Sequence, residues 1–362
     1  MLRKDRPRSI VMSAAFRIGD RQIGVDQPPL VIAEMSGNHN QSLERAFQIV
    51  DAAAAAGAHA LKLQTYTADT ITLNVRGGDF EIRDQNSLWA GQNLHDLYAT
   101  AHTPWEWHGP IMKRAQQHGM LCFSSPFDES AVDFLEGLEV PAYKIASFEN
   151  NHIPLIRKAA STGKPLIIST GMASLAELER AVMTARESGC KNIALLKCTS
   201  TYPASPLGTN IKTIPHLREL FNCEAGLSDH TMGFGVAVGA IALGATIIEK
   251  HFTISRAEGG VDSKFSLEPG EFRTLCTEID NAWKSLGSVV YGATKQEQMS
   301  LAFRRSIYVS ESLKAGEILT EKNLRIVRPG NGLPPHMLEH ILGRACSRDI
   351  EMGTPMSLDL IQ

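Results

Sequence analysis

The 362-residue sequence has no hydrophobic run long enough to span a membrane. Its longest apolar run, residues 236–248, falls short of the ~18 residues that a membrane-spanning helix needs, and Gly239 and Gly244 interrupt it. The basic segment at residues 1–11 lacks the apolar core and the small-residue cleavage site of a secretory signal, and Met12 is a second candidate for the initiator methionine. These absences predict a protein without a membrane anchor.

Excess charge of one sign and cysteine motifs are lacking as well. The 36 lysines and arginines against 39 aspartates and glutamates give a formal charge of -3, which offers no general electrostatic reason to bind nucleic acid. None of the six cysteines stands in a CxxC or other metal-ligand spacing, and the chain is far longer than disulfide-stapled scaffolds. We therefore expect reduced, mostly buried thiols and a cytoplasmic location.

Short apolar runs bounded by turn residues alternate with longer segments of helical periodicity from Leu30 onward. We predict eight strands, at residues 30–35, 60–64, 120–125, 142–147, 165–170, 193–198, 224–228 and 246–252. One predicted helix, residues 42–56, stops at Gly57, and another, residues 174–188, begins with a capping-box pattern of Ser174 and Glu177.

Eight such units over about 250 residues predict an α/β fold of the TIM (β/α)8 barrel type. The alternative is an open doubly wound sheet, which carries a glycine-rich phosphate loop after its first strand. No such loop follows Glu34, so the barrel is favoured.

We predict four regions along the chain. An N-terminal extension and cap (residues 1–29) precedes the barrel (30–286), and a polar linker (287–303) leads to a small loop-rich domain (304–362). That last domain is close to the lower size limit for independent stability. A long segment rich in Thr, Asp, Asn and Gly, residues 65–104, follows the second strand, and long loops of this kind usually cover a site.

Polar side chains stand at the carboxyl ends of all eight predicted strands, which is the end where barrel active sites are built. Because burying an unpaired charge is costly, these positions are candidates for function rather than for packing. They are Glu34, Lys62, Gln64, Ser124, Ser125, Lys144, Ser147, Ser169, Thr170, Lys197, Thr199, Ser200, Ser228, Asp229, His230, Glu249 and His251.

Five of these residues suggest specific chemistry. Lys62 and Lys144 would repel each other unless an anion lies between them, and a phosphate or carboxylate ligand fits. His230 and His251 come from consecutive strands and suit either a divalent cation or a hydrogen-bonded structural pair. Glu34 is either a general base or an ion-pair partner of one of the lysines.

Two further groups have structural interpretations. The asparagines at residues 38–40 precede the first helix and predict turn formation and helix capping. Trp89, Trp105 and Trp107 are expected to be packing anchors, because aromatic residues in long loops usually have that role.

Ordered motifs run through nearly the whole chain from about residue 16. They are Ile32-Ala33-Glu34, Asn38-His39-Asn40, Lys62-Leu63-Gln64-Thr65, Tyr143-Lys144-Ile145-Ala146-Ser147, Ser169-Thr170-Gly171-Met172, Cys198-Thr199 with Tyr202-Pro203, Leu227-Ser228-Asp229-His230-Thr231 and Glu249-Lys250-His251-Phe252. This series resembles the sialic acid synthase family, whose members condense phosphoenolpyruvate with an amino sugar to make nonulosonic acids. Residues 305–362 are similar to the antifreeze-like or SAF domain of that family, with its motifs at 314–317 and 328–332.

Details within the motifs favour the pseudaminate branch of the family over the neuraminate and legionaminate branches. They lie at residues 64–72, 145–149, 200–203, 259–263 and 265–269. One departure is Gln41, which stands where a glycine commonly follows the Asn-His-Asn motif in the family.

The resemblance implies a reaction and a set of roles. Phosphoenolpyruvate would add through C3 to the aldehyde of 2,4-diacetamido-2,4,6-trideoxy-altrose, and water would then add at C2 with Glu34 as base, expelling phosphate. The implied ligands are Lys62, Lys144, Ser147, Ser169 and Ser228 for phosphoenolpyruvate, Gln64, Ser125, Glu149, Tyr202, Asp262 and Arg328 for the sugar, and His230 and His251 for a magnesium, manganese or cobalt ion. Arg328 would come from the second copy of a domain-swapped homodimer.

Two other functions remain open from the sequence. A different phosphoenolpyruvate-dependent aldol synthase, making 3-deoxy sugar acids from a phosphorylated sugar, would need a second cationic subsite. A non-enzymatic ice-binding or sugar-binding module would have no use for converging lysines, histidines and Glu34.

Overall fold

A computed structural model describes residues 15–85 and 87–362, which form two compact units. The first unit ends at Gly287, and the second runs from Ser288 to Gln362. Within the described ranges, no helix combines the length and the apolar character that crossing a membrane requires. The basic segment at residues 1–11 and the candidate initiator Met12 lie outside the described residues.

The first unit is a closed barrel of eight parallel strands, so the predicted TIM barrel is confirmed. A hairpin of β1 (Phe16–Ile18) and β2 (Arg21–Ile23) precedes it and adds Phe16, Ile18 and Ile23 to the same hydrophobic core. The barrel strands are β3 (Leu30–Glu34), β4 (Ala60–Thr65), β5 (Leu121–Pro126), β6 (Tyr143–Ile145), β7 (Leu166–Ser169), β8 (Ile193–Cys198), β9 (Glu224–Asp229) and β10 (Ile247–His251). Strand β10 pairs with both β3 and β9, which closes the barrel.

Strand β6 is shorter than predicted. It ends at Ile145 instead of residue 147, because Ser147–Glu149 turn away as a 3-10 helix. The Asn150 side chain fixes that turn by donating to the backbone carbonyls of Ser169 and Gly171, at 3.2 and 3.0 Å. Ser147 and Glu149 therefore project from a turn above the strand.

Helices surround the barrel. They are α1 (Leu43–Ala55), α2 (Ala68–Ile71), α3 (Leu94–Ala101), α4 (Trp105–Gln117), α5 (Glu129–Gly137), α6 (Ile153–Ser161), α7 (Leu175–Glu187), α8 (Thr213–Phe221), α9 (Gly235–Ala242) and α10 (Pro269–Ser285). The predicted capping box of Ser174 and Glu177 is present at the start of α7. Helix α1 ends before Gly57, whose φ of +93° is a conformation that residues with a Cβ rarely adopt.

The second unit has its own small core. Strands β11 (Ser306–Val309) and β12 (Leu324–Val327) pair antiparallel, and α11 (Leu338–Ile341) packs near them. Ile307, Leu319, Leu324 and Cys346 are among the buried residues of this core. The segment expected to be a linker contains a 3-10 helix, Lys295–Phe303, and groups with this unit.

Candidate active site

The carboxyl ends of the barrel strands surround a cavity of about 640 Å³. Most of the residues singled out from the sequence line it, namely Lys62, Gln64, Lys144, Ser147, Glu149, Ser169, Tyr202, Ser228, His230, His251 and Asp262. The long segment after β4 contributes a further wall, as expected from its position. A shallower depression of about 910 Å³ beside residues 206–213 contains none of the predicted site residues.

The two lysines are neutralised by the protein itself. Lys62 forms an ion pair with Glu34, and Glu249 lies between the lysines, with its Oε1 at 3.9 Å from Lys62 Nζ and 3.2 Å from Lys144 Nζ. Removing one partner of a buried ion pair costs about 3–5 kcal/mol, so an unmatched lysine here would be strongly destabilising. An anionic group does lie between the two lysines, as the sequence predicted, but it is the carboxylate of Glu249. A phosphate or carboxylate ligand beside the lysines stays a prediction.

Glu34 lies behind the cavity lining and is fully buried. Its Oε1 accepts hydrogen bonds of 3.1 Å from the Ser36 backbone amide and from Gln64 Nε2. Of the two sequence interpretations, the ion pair with Lys62 is the one the structure contains. Burial raises the pKa of Glu34 above the ordinary carboxyl range even though Lys62 opposes the shift. Such a group can take up a proton near neutral pH.

Five buried polar atoms of residues that line this cavity have no hydrogen-bond partner in the described chain. They are Ser147 Oγ, Ser169 Oγ, Glu149 Oε2, Glu249 Oε2 and His251 Nδ1. Leaving a buried polar group unpaired costs about 1–3 kcal/mol. Five such atoms in one cavity are available to form hydrogen bonds with a polar ligand.

The two predicted metal ligands are neighbours, with ring centroids 5.3 Å apart. His230 Nδ1 lies 2.9 Å from the Thr199 carbonyl oxygen and must donate to it, which leaves Nε2 as the lone-pair nitrogen of a neutral ring. Burial alone would lower the pKa of His230, but its hydrogen bond with Cys198 raises it overall. Burial holds the pKa of His251 well below its ordinary value, and the charges of His230, Lys62 and Lys144 add to the shift.

The donor set suits a divalent cation that takes its other ligands from elsewhere. Across the residues that the structure describes, no group of three or more His, Cys, Asp or Glu side chains is arranged to hold a metal ion. The unpartnered His251 Nδ1 lies 3.6 Å from Asp262 Oδ2. Imidazole nitrogens completed by carboxylate and water oxygens match the ligand preferences of manganese, cobalt and, less closely, magnesium. Two histidines therefore fit a cation that also binds water or substrate.

A buried ion pair outside the cavity holds the loop that carries His230. Lys250 projects from the opposite face of β10 and donates to Asp229 Oδ2 at 2.7 Å and to the Thr231 carbonyl oxygen. Asp229 Oδ1 in turn accepts from the backbone amide and the hydroxyl of Thr231, at 2.9 and 2.8 Å. Lys250 belongs to one of the quoted motifs but was not predicted to have a role of its own. Its position between Glu249 and His251 places it on the outer face of an alternating strand.

Aromatic side chains form one end of the cavity. The Tyr202 ring lies 4.6 Å from that of His230 and 6.0 Å from that of Trp89. Trp89 lines the cavity, so its predicted role as a packing anchor was incomplete, although its Nε1 does donate to the Val261 carbonyl at 3.2 Å. Trp105 packs on Phe134, as expected, with centroids 4.6 Å apart.

The asparagine motif has a role other than helix capping. Ser42, not an asparagine, caps α1 by accepting from the Arg45 amide. Asn38 instead fixes the segment that carries Asp262, accepting from the Asp262 amide at 3.2 Å and donating to the Ser266 hydroxyl at 2.9 Å. The Asp262 carboxylate also accepts a hydrogen bond from the Ser36 hydroxyl.

The structure accounts for Gln41 where the family commonly has glycine. Its φ is +54°, in the left-handed region that favours glycine. The side chain offsets this strain by donating to the carbonyls of Thr100 and His102, at 3.0 and 2.7 Å. Gln41 therefore fastens the end of α3 to the turn before α1.

One predicted sugar ligand, Ser125, is not among the residues that line the cavity. Its Oγ accepts a hydrogen bond from Lys62 Nζ at 3.2 Å, so this hydroxyl helps to hold the lysine in place. Arg328 is part of the second unit, where it is exposed.

Comparison with known proteins agrees with the resemblance found in the sequence. The chain is 43% identical over 335 residues to a pseudaminic acid synthase of Campylobacter jejuni, covering 92% of this chain and 97% of that protein. It is 36% identical to an N,N'-diacetyllegionaminic acid synthase of the same species, covering 88% and 96%. The solved structure of an N-acetylneuraminic acid synthetase from Leptospira borgpetersenii, in complex with citrate, is 31% identical with a TM-score of 0.70, covering 80% of this chain and 96% of that one.

Family profiles match both units. The NeuB family matches residues 49–291, and the SAF domain matches residues 304–362. With the barrel, the cavity at its carboxyl end and these matches together, the chain belongs to the NeuB family and carries a C-terminal SAF domain.

Proposed function

We propose that this chain catalyses the reaction for which its Campylobacter jejuni relative is named, the synthesis of pseudaminic acid. The reaction joins phosphoenolpyruvate, 2,4-diacetamido-2,4,6-trideoxy-altrose and water and releases pseudaminic acid and phosphate, which makes the enzyme a transferase. The observation that carries the proposal is the single cavity in which two lysines, two histidines and five unpartnered polar atoms converge.

The lysine end of the cavity would hold phosphoenolpyruvate. The unpartnered hydroxyls of Ser147 and Ser169 are free to donate to phosphate or carboxylate oxygens, beside Lys62 and Lys144. Charge-assisted hydrogen bonds of this kind are about twice as strong as neutral ones. Ser228, which now donates to Glu249 at 3.1 Å, would turn to the ligand.

Glu34 is the group proposed as the general base. Burial raises its pKa, so its carboxylate has a high affinity for a proton near neutral pH. As water adds at C2, the Glu34 carboxylate would accept a proton from that water, and cleavage of the C2–O bond would release phosphate. Lys62, the ion-pair partner of Glu34, would stabilise the negative charge of the phosphate group.

The histidine end of the cavity would hold the aldehyde of the sugar. A divalent cation held by His230 and His251 would supply Lewis-acid polarisation of the carbonyl oxygen. Gln64, Glu149, Tyr202 and Asp262 would contact hydroxyl and acetamido groups. Burial raises the pKa of Glu149 to about 7, so this side chain can offer either a donor or an acceptor near neutral pH.

The choice of sugar is tested directly by assay of the purified enzyme. With phosphoenolpyruvate and a divalent cation, we expect kcat/KM for 2,4-diacetamido-2,4,6-trideoxy-altrose to exceed that for N-acetylmannosamine and for the legionaminate precursor by about 100-fold. Phosphate release and product mass are measured together. Preference for the legionaminate precursor would assign the chain to the activity of its 36% identical relative instead. Turnover of a phosphorylated sugar alone would favour the 3-deoxy sugar acid synthases.

We also propose a homodimer in which Arg328 serves the cavity of the other copy, in a cytoplasmic enzyme with reduced thiols. Several large apolar side chains of residues 289–303 support a partner surface, since Val289, Tyr291 and Met299 are more than four-fifths exposed. All six cysteines are free.

A complementation experiment tests this arrangement. Arg328→Ala should lower kcat/KM for the sugar about 10-fold without changing KM for phosphoenolpyruvate, whereas Arg325→Ala, the matched control on β12, should not. Mixing equal amounts of the impaired Arg328→Ala chain and the His251→Ala chain should raise kcat/KM to about a quarter of the wild-type value, well above either variant alone, because half of the dimers are mixed and each mixed dimer has one intact site. No recovery after subunit exchange would contradict a site shared between copies.

A further inference from the structure

Polar and aliphatic side chains both line the cavity. The strand ends and the turns after them supply lysines, hydroxyls and carboxylates, whereas the segment after β4 supplies aliphatic side chains along with Tyr66, Trp89 and Tyr98. We call the aliphatic lining residues Ile71, Ile82, Leu94 and Leu97 of this segment, together with Val261, the apolar wall. Leu97 is 8% exposed and the other four are half-buried.

Hydrogen-bonded structure holds the apolar wall in place. Leu94 and Leu97 are three residues apart on α3, which places them on the same side of the helix. Ile82 is fixed by backbone hydrogen bonds from its amide to the Gln92 carbonyl, at 3.0 Å, and from the Gly91 amide to its carbonyl, at 2.8 Å. The wall is therefore a built surface and not a loop that has collapsed into an empty space.

A cavity lined by the apolar wall as well as by polar side chains restricts which ligands can bind. A methyl group readily displaces water from half-buried aliphatic carbon atoms, because moving the methyl group out of water lowers the free energy of the system. A hydroxyl placed against the same carbon atoms would lose its hydrogen bonds to water and find no partner. The ligand that matches this cavity has charged or polar groups on one side and methyl groups on the other.

We propose that the apolar wall selects a 6-deoxy, N-acetylated sugar by receiving its methyl groups and rejects the sugar that carries a hydroxyl at C6. This inference rests on the proposed function and assigns its sugar specificity to residues of the segment that covers the site. The polar groups then fix the orientation of the sugar, and the apolar wall decides which sugar is accepted.

The test compares the trideoxy sugar with its 6-hydroxy analogue, which differs only by that oxygen. We expect wild-type enzyme to prefer the 6-deoxy sugar by about 100-fold in kcat/KM. This is the discrimination that an apolar pocket typically achieves against a substrate with an added hydroxyl. Ile82→Thr and, independently, Leu94→Thr should reduce this preference to about 10-fold or less, chiefly by losing kcat/KM for the 6-deoxy sugar. KM for phosphoenolpyruvate should stay unchanged, because its proposed ligands are lysines and serines at the strand ends and not residues of the apolar wall.

Leu73→Thr is the matched control. Leu73 belongs to the same segment but is 62% exposed and is not part of the cavity lining, so the sugar preference should not change. Thermal melting of each variant reports whether it is folded. Two variants of the apolar wall are used so that the test still stands if one of them does not fold.

The outcomes separate the two proposals. If wild-type enzyme uses the 6-deoxy sugar but the wall variants keep the full preference, or Leu73→Thr loses as much of it, the apolar wall is not the selector and the proposed function stands. If wild-type enzyme turns over neither sugar with phosphoenolpyruvate, the proposed function fails and this inference fails with it.

Discussion

His251→Ala is expected to lower kcat with phosphoenolpyruvate and the amino sugar by about 10³-fold. His251 lies beside His230 in the cavity, and its Nδ1 has no partner within the described chain. Removing the imidazole would take away one of the two nitrogen ligands that the proposed cation site contains. The loss should appear in kcat rather than in KM for phosphoenolpyruvate, because the lysines and serines that bind that substrate remain.

Two measurements distinguish a ligand from a structural histidine. Elemental analysis and calorimetric titration with manganese should show binding to the wild-type enzyme and at least a ~10-fold weaker affinity for His251→Ala. Chelation of wild-type enzyme should reproduce the loss of activity, and added manganese should reverse it. His216→Ala, on the exposed surface of α8, is the control and should bind the metal normally. Full activity after chelation would remove the cation from the mechanism.

Glu34→Gln is expected to lower kcat by about 10²–10⁴-fold, the usual contribution of a general base. The glutamine keeps the size of the side chain and its hydrogen bonds from Ser36 and Gln64, but it cannot accept a proton or neutralise Lys62. Phosphoenolpyruvate should still bind, because the change leaves Lys62 with more charge available to the phosphate. Single-turnover measurement of phosphate release locates the blocked step.

The pH profile separates the two roles of Glu34. A base must be ionised, so activity should fall as the pH is lowered through the folded-state pKa of this carboxyl, which burial raises above the ordinary value. The acidic limb of the kcat profile should therefore lie at higher pH than an ordinary glutamate would give. Glu34→Gln should lose that limb, whereas Glu149→Gln should keep it.

A matched substitution controls for the loss of any glutamate charge. Glu136 pairs with Lys164 at 2.6 Å on α5, outside the cavity, and Glu136→Gln should leave both the rate and the pH profile unchanged. A normal rate of phosphate release by Glu34→Gln would restrict Glu34 to the ion pair with Lys62.

Local pattern determined most of the barrel. The ends of seven predicted strands lie within one residue of the observed ends, because each apolar run is bounded by turn residues that admit few alternatives. Strand β6 is the exception and ends two residues earlier than predicted, where Asn150 stabilises a 3-10 turn through carbonyls of the next strand and loop. That contact depends on tertiary structure and leaves no local signal.

The sequence predicted that these polar residues converge, but it did not predict which of them pair with each other. The carboxyl ends of parallel strands meet at one rim of the barrel, so the polar residues at those ends necessarily lie close together. The sequence could not show that Glu249 sits between the two lysines or that Ser125 holds Lys62, because these contacts join strands through the barrel interior.

The sequence by itself determined the barrel, the gathering of polar residues at its carboxyl end, the SAF domain and the family, because periodicity, turn residues and ordered motifs are local properties of the chain. Tertiary structure alone decided which charges neutralise one another, how Lys250 and Asp229 fix the loop of His230, and which residues form the apolar wall. The reason is that a side chain's partner depends on strand register and on closure of the barrel. Both bring together residues that are far apart in the sequence, such as Ser36 and Asp262, which are 226 positions apart.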